Sequence, residues 1–159
     1  MLNAAAAVTL SPLNVPTEVR DDAHAEKALS EIAATTGRIR RGGWFDVEVV
    51  RFSAQVNGIH QLFLTKLDVL SEFDEIKICT GYEFDGKKVH YYDLNSYQLE
   101  KVKPAYKAVK GWKTDLHGIR KFKELPVRAQ AYVKTIEKLV GVKIGWVANG
   151  PEREAVIKR

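Results

Sequence analysis

A single cysteine in 159 residues, Cys79, excludes a disulfide within the chain and leaves no thiol set for zinc. Its setting in Ile76-Lys77-Ile78-Cys79 reads as a small buried apolar residue, and one cysteine fits a reducing, cytoplasmic setting. No apolar run approaches the length of a membrane span, so no membrane partner is expected. No Gly-x-x-x-x-Gly-Lys occurs, and Gly86-Lys87-Lys88 is no substitute for a phosphate loop. Internal repeats and low-complexity linkers are also missing. The small apolar start, Met1 to Val8, lacks the basic region of a signal peptide and is read as part of an irregular segment, residues 1–15.

What is present describes an ordinary soluble globular chain, with 45% hydrophobic and 28% charged residues. The length supports one domain with a real core, here residues 16–159. A net charge of +5 favours polyanionic partners, nucleotides or nucleic acid, without choosing between them.

The densest chemistry lies in Thr35-Thr36-Gly37-Arg38-Ile39-Arg40-Arg41-Gly42-Gly43-Trp44, which combines two hydroxyls, three guanidiniums and three glycines. Glycines bring backbone N–H groups close to a ligand, and arginine forks fit carboxylates and phosphates, so the stretch reads as an anion-holding loop. A solvated basic loop between two helices is the plainer alternative. Ahead of it, Ala25, Leu29 and Ile32 at helical spacing predict a helix from Arg20 to Ala34. Behind it, Phe45, Val49, Phe52 and Val56 predict a second helix with Asp46 in its first turn and Asn57-Gly58 as its stop. The loop would then run into a helix N-terminus, which also favours an anion.

Strands are predicted at Ile59 to Thr65 and Glu75 to Tyr82, with a hairpin turn at Asp85-Gly86. Residues 101–123 interleave lysines with Tyr106, Trp112 and Phe122. That stretch reads as a surface excursion tacked to the core by its aromatics, with single-strand base stacking as the alternative. Pro126 opens a helix whose apolar face is Ala129, Tyr132, Val133, Ile136 and Val140, closed by Gly141, and a last strand follows from Val142 to Val147. The order is that of an α/β or α+β protein.

Lys66-Leu67-Asp68 follows a predicted buried strand, and ligands of open α/β sheets bind beyond the carboxyl ends of strands. A carboxylate there can accept two hydrogen bonds from the N–H edge of guanine, whereas adenine would leave it unpaired, and the Lys66 stem can lie across the base. A surface ion pair or a helix cap is the bland reading of Lys-x-Asp.

Taken in order, Thr-Thr-Gly-Arg-x-Arg-Arg, Gly-Trp-Phe-Asp, Asn-Gly, Leu-Thr-Lys-Leu-Asp-Val-Leu, Glu-Ile-Lys-Ile-Cys, Gly-Trp, Gly-Ile-Arg and Gly-Pro-Glu-Arg resemble the C-terminal part of adenylosuccinate synthetase from about Pro16 onward. The resemblance implies an α/β fold, the C-terminal portion of a P-loop-related GTP-dependent ligase with a mixed sheet flanked by helices. It implies ligation of IMP and L-aspartate with GTP and Mg2+, the γ-phosphate passing first to the IMP 6-oxygen, in a homodimer. By the same resemblance Thr35, Thr36, Gly37, Arg38 and Arg40 would hold aspartate. Arg38 would also face IMP, and Arg40 the GTP phosphates. Lys66, Leu67, Asp68, Ala148, Asn149, Gly150 and Pro151 would take the guanine. The family's glycine-rich phosphate loop with its catalytic Asp, and its Gly-His-Thr segment with the catalytic His, have no counterpart here. No catalytic residue and no metal ligand is therefore assigned in this chain, and His24, His60, His90 and His117 are read as ordinary histidines. Ala148 stands where the family usually has a serine, and Gly42 where it has a bulkier residue. On this reading the chain by itself is catalytically silent. The alternatives are a non-catalytic guanine-nucleotide module and a basic nucleic-acid binder, the latter less favoured.

Overall fold

The computed structural model describes residues 42–159 throughout and, ahead of them, the backbone of Leu2–Ala5, Ala7–Thr9, Glu31–Ile32 and Ile39–Arg40. These four short strands are β1 to β4. The further strands are β5 (Gly42–Asp46), β6 (Gln61–Thr65), β7 (Glu75–Phe84), β8 (Lys87–Val89), β9 (Lys103–Lys110), β10 (Lys143–Ala148) and β11 (Val156–Lys158). Three α-helices are described, α1 (Val47–Val56), α2 (Ser96–Leu99) and α3 (Val127–Val140).

The strands form two larger mixed sheets. One runs β1-β6-β10-β11, with β6 parallel to both β1 and β10, and β11 antiparallel to β10. The other runs β2-β5-β7-β8, with β5 parallel to β7 and with β9 antiparallel to β7 along most of its length. Their inner faces meet the helices in one core that includes Phe45, Leu62, Leu64, Ile76, Ile78, Ile136 and Ile144. A smaller cluster of Cys79, Tyr82 and Val102 lies beneath Phe84, Val89, Tyr91 and Leu94.

Helix α3 forms as its sequence predicts. Pro126 is its N-cap, all five expected apolar positions are buried, and Gly141 closes it in the left-handed region at φ 79°. The hairpin also forms at Asp85-Gly86, both at positive φ, with Phe84 paired to Lys87.

Three expectations are corrected. The helix predicted to Ala34 does not extend over Glu31–Ile32, which pair antiparallel with Ile39–Arg40; residues 20–30 lie outside the described residues. The second helix begins at Val47 rather than Phe45, because the Asp46 side chain accepts from the Val49 N–H at 3.2 Å and so caps it. Its buried face is Val47, Val50 and Ala54, while Val56 is 67% exposed and Phe52 sits against the Tyr91 ring. Strand β5 thus separates the arginine stretch from the helix N-terminus. Finally, the first part of the basic stretch is no excursion but edge strand β9, although Trp112 and Phe122 do pack on the core as expected.

Candidate functional site

Two of the predicted segments come together at the carboxyl ends of adjacent parallel strands. Strand β6 ends at Thr65 and β10 at Ala148, and the Leu67 N–H donates to the Ala148 carbonyl at 3.1 Å, tying Lys66-Leu67-Asp68 to Ala148-Asn149-Gly150-Pro151. Lys66 makes the sharp exit from β6 with φ 63°, a left-handed conformation that costs a non-glycine residue on the order of 1 kcal/mol. Leu67 is fully buried and fixes the turn, and Asp68 begins a short 3-10 helix over Asp68–Glu72.

Asp68 is half-buried, and burial is the main reason that its carboxyl lies above the ordinary 3.8. The nearby Glu152 carboxylate pushes the same way, while its own and the Val69 backbone N–H groups and the Lys66 ammonium pull it back. A carboxylate so placed can accept hydrogen bonds from a ligand.

On the other side, Asn149 is buried, its backbone N–H donates to Ala155 O at 3.0 Å, and its Nδ2 donates to the carbonyls of Leu116 (2.6 Å) and Ile119 (3.0 Å). Its Oδ1 has no hydrogen-bond partner among the described residues. Ala148 is buried and presents no hydroxyl.

The residues of the predicted anion-holding loop stand differently. Thr35, Thr36, Gly37 and Arg38 lie outside the described residues, and for Arg40 only the backbone is described, paired with Glu31 in β4. The strand that follows is described, and its last residue is a buried carboxylate. Asp46 accepts from the Tyr82 phenol and the Val49 N–H, and burial raises its carboxyl to about 6. Beside it the buried Glu48 pairs with Arg51 (2.8 Å) and meets His90 Nδ1 at 3.0 Å. Sequence reading assigned nothing to this group; the Asp of Gly-Trp-Phe-Asp was its only signal. His60 and His117 are exposed, and His24 lies outside the described residues. Among the described residues no group of three or more His, Cys, Asp or Glu could hold a metal ion.

The family model of adenylosuccinate synthetase matches residues 8–157. Among curated relatives, adenylosuccinate synthetase of Geobacter sulfurreducens is 48% identical over 145 residues and that of Paramecium tetraurelia 44% identical over 144 residues. Each match covers 89% of this chain and 33% of the relative, so the chain spans about a third of their length. The solved structure of fully ligated adenylosuccinate synthetase from Plasmodium falciparum superposes with a TM-score of 0.90 at 30% identity, over 98% of this chain and 38% of that one. The mixed α/β architecture is therefore that of this P-loop-related fold.

Proposed function

Because the chain belongs to the adenylosuccinate synthetase family, we propose that it carries the guanine-recognition and aspartate-holding part of a ligase that joins IMP to L-aspartate. That GTP-driven reaction would yield adenylosuccinate, GDP and phosphate on the route to AMP. What supports the guanine reading is one observation: Lys66-Leu67-Asp68 and Ala148-Asn149-Gly150-Pro151 meet where parallel strands β6 and β10 end. Ionised Asp68 accepts the N1–H and 2-amino protons of the base, and the Lys66 stem covers its face. Adenine offers no such donor pair, and leaving the carboxylate unpaired against it costs a few kcal/mol. Thr35, Thr36, Gly37, Arg38 and Arg40 hold the carboxylates of aspartate, with Arg38 toward IMP and Arg40 toward the GTP phosphates. These side chains bind and orient; none of them is assigned the phosphoryl transfer or its proton steps, and the chain alone turns over no IMP.

The test is titration calorimetry of the 159-residue chain with GDP and with ADP at two salt concentrations. The reading predicts that GDP binds in preference to ADP and that the preference survives added salt. Equal, weak and salt-sensitive binding of both would instead mark a charge-driven polyanion binder and overturn it.

A further inference from the structure

The segment Gly111 to Ile119 carries the Gly-Trp motif and the first two residues of Gly-Ile-Arg, to which the guanine reading gives no task. It is fastened at both ends to the two halves of that candidate pocket. At its start the Gly111 N–H donates to Asp74 O (2.7 Å), Trp112 Nε1–H to Ser71 Oγ (2.9 Å), and Lys113 Nζ to Glu72 O (2.8 Å). All three acceptors lie on or just past the short helix that Asp68 begins. At its far end Leu116 O and Ile119 O take both protons of the Asn149 side-chain amide, within the Ala148-to-Pro151 loop. Between these ends the chain is closed on itself by Thr114 Oγ1–H to Trp112 O (2.8 Å) and the His117 N–H to Asp115 Oδ1 (2.9 Å). Trp112 and Leu116 are buried, and the Trp112 ring packs on Tyr132 of α3.

We propose that Gly111 to Ile119 is a strap that sets the separation of Lys66-Leu67-Asp68 from Ala148-Asn149-Gly150-Pro151. Asn149 and Trp112 are then positioning residues for base selectivity. This inference rests on the guanine reading above. The chemistry of Asn149 is what distinguishes a clamp from general packing. Its amide is used wholly as a donor toward two carbonyls, while its own oxygen is buried with no partner among the described residues. A buried acceptor without a partner is unfavourable, so the position is held by the two N–H bonds rather than by the amide as a whole. Aspartate, of the same shape, would set a carboxylate against those two carbonyls.

The experiment uses the full chain and its Asn149→Ala, Asn149→Asp, Trp112→Phe and Trp112→Phe/Asn149→Ala variants. Each is titrated with GDP and ADP and followed by amide hydrogen exchange. Asn149→Ala is expected to lower GDP affinity on the order of tenfold while leaving ADP unchanged, and Asn149→Asp to lower it further. Trp112→Phe keeps an aromatic but smaller ring, loses the bond to Ser71 and gives a smaller drop. The double variant falls no further than Asn149→Ala, since a strap released at one end no longer acts through the other. Exchange at the Leu67 amide, which bonds Ala148 O, should quicken in each variant while the amides of α3 keep their protection. An unchanged GDP-to-ADP ratio in a folded Asn149→Ala, or strictly additive losses, would overturn the strap. If the parent chain fails to separate GDP from ADP, the guanine reading falls and the exchange decides alone. Faster exchange at Leu67 in Asn149→Ala then supports the strap, and unchanged exchange overturns it.

Discussion

The phenol of Tyr82 donates to the carboxylate of Asp46, and both side chains are buried where the end of β5 meets the bulged middle of β7. Burial is what raises the Asp46 carboxyl to about 6, against the opposing pull of Tyr82 and the Val49 and Glu48 N–H groups. The unfolded chain gives up this proton near pH 3.8, but the folded chain keeps it until about 6. The associated stability is therefore fully present below pH 3.8 and is lost as pH rises through about 6. Asparagine can still cap α1 and meet Tyr82, but it does not titrate. Between pH 4 and pH 7 the stability of Asp46→Asn relative to the parent should rise by on the order of 3 kcal/mol, read from urea unfolding at each pH. A gap independent of pH would mean that Asp46 is ionised throughout.

Lys66 occupies a left-handed conformation at the exit of β6. Glycine adopts it without strain, so Lys66→Gly should raise stability by roughly 0.5–1 kcal/mol while weakening GDP binding, because the stem across the base is gone. Thermal unfolding and calorimetry on the same sample check both signs. A variant that loses stability would show that the contacts of Lys66 outweigh the backbone cost.

Gly111 leaves no space for a side chain: a Cβ there would stand 1.9 Å from the carbonyl oxygen of Phe73. Since that neighbour is backbone, the strap must move, and Gly111→Ala should destabilise the chain by about 1–3 kcal/mol or more. Denaturant unfolding measures it. Gly81, with nothing within 4 Å of the same position and no left-handed backbone, makes a control in which no clash arises.

The Cys79 thiol is buried and bonded to Gly81 O at 3.4 Å, and burial pushes it up to about 12. At pH 8 the folded chain should take up maleimide orders of magnitude more slowly than the unfolded chain, as mass spectrometry would show. Labelling at a comparable rate under native conditions would mean that the cover from Val89, Tyr91 and Leu94 opens readily.

Helix α3 was legible in the sequence because local and tertiary signals agree there: a proline start, a glycine stop and one apolar face that meets one core. Strand β9 was not. Most of its positions are exposed, so its only strong pattern is lysine, which reads as surface whether the backbone is paired or not. The face of α1 was shifted for another reason. Phe45 fits the helical spacing but belongs to β5, and the cap at Asp46 resets the phase, burying Val47 and Val50. At the candidate pocket the strand-end place of Lys66-Leu67-Asp68 could be read from the residues, and its pairing with the Ala148 loop only from the family resemblance. The strap could not, since its links are side chains reaching backbone carbonyls far away in the chain, for which no local spacing rule exists.

The guanine pocket is the claim on which the rest depends, and Asp68→Asn probes it most directly. Asparagine keeps the size of the side chain but replaces one acceptor oxygen by a donor that opposes the N–H edge of the base. Titration calorimetry with GDP at neutral pH should show a loss of tenfold or more in Asp68→Asn, with ADP binding unchanged. Equal GDP affinity in the parent chain and in Asp68→Asn would contradict the account.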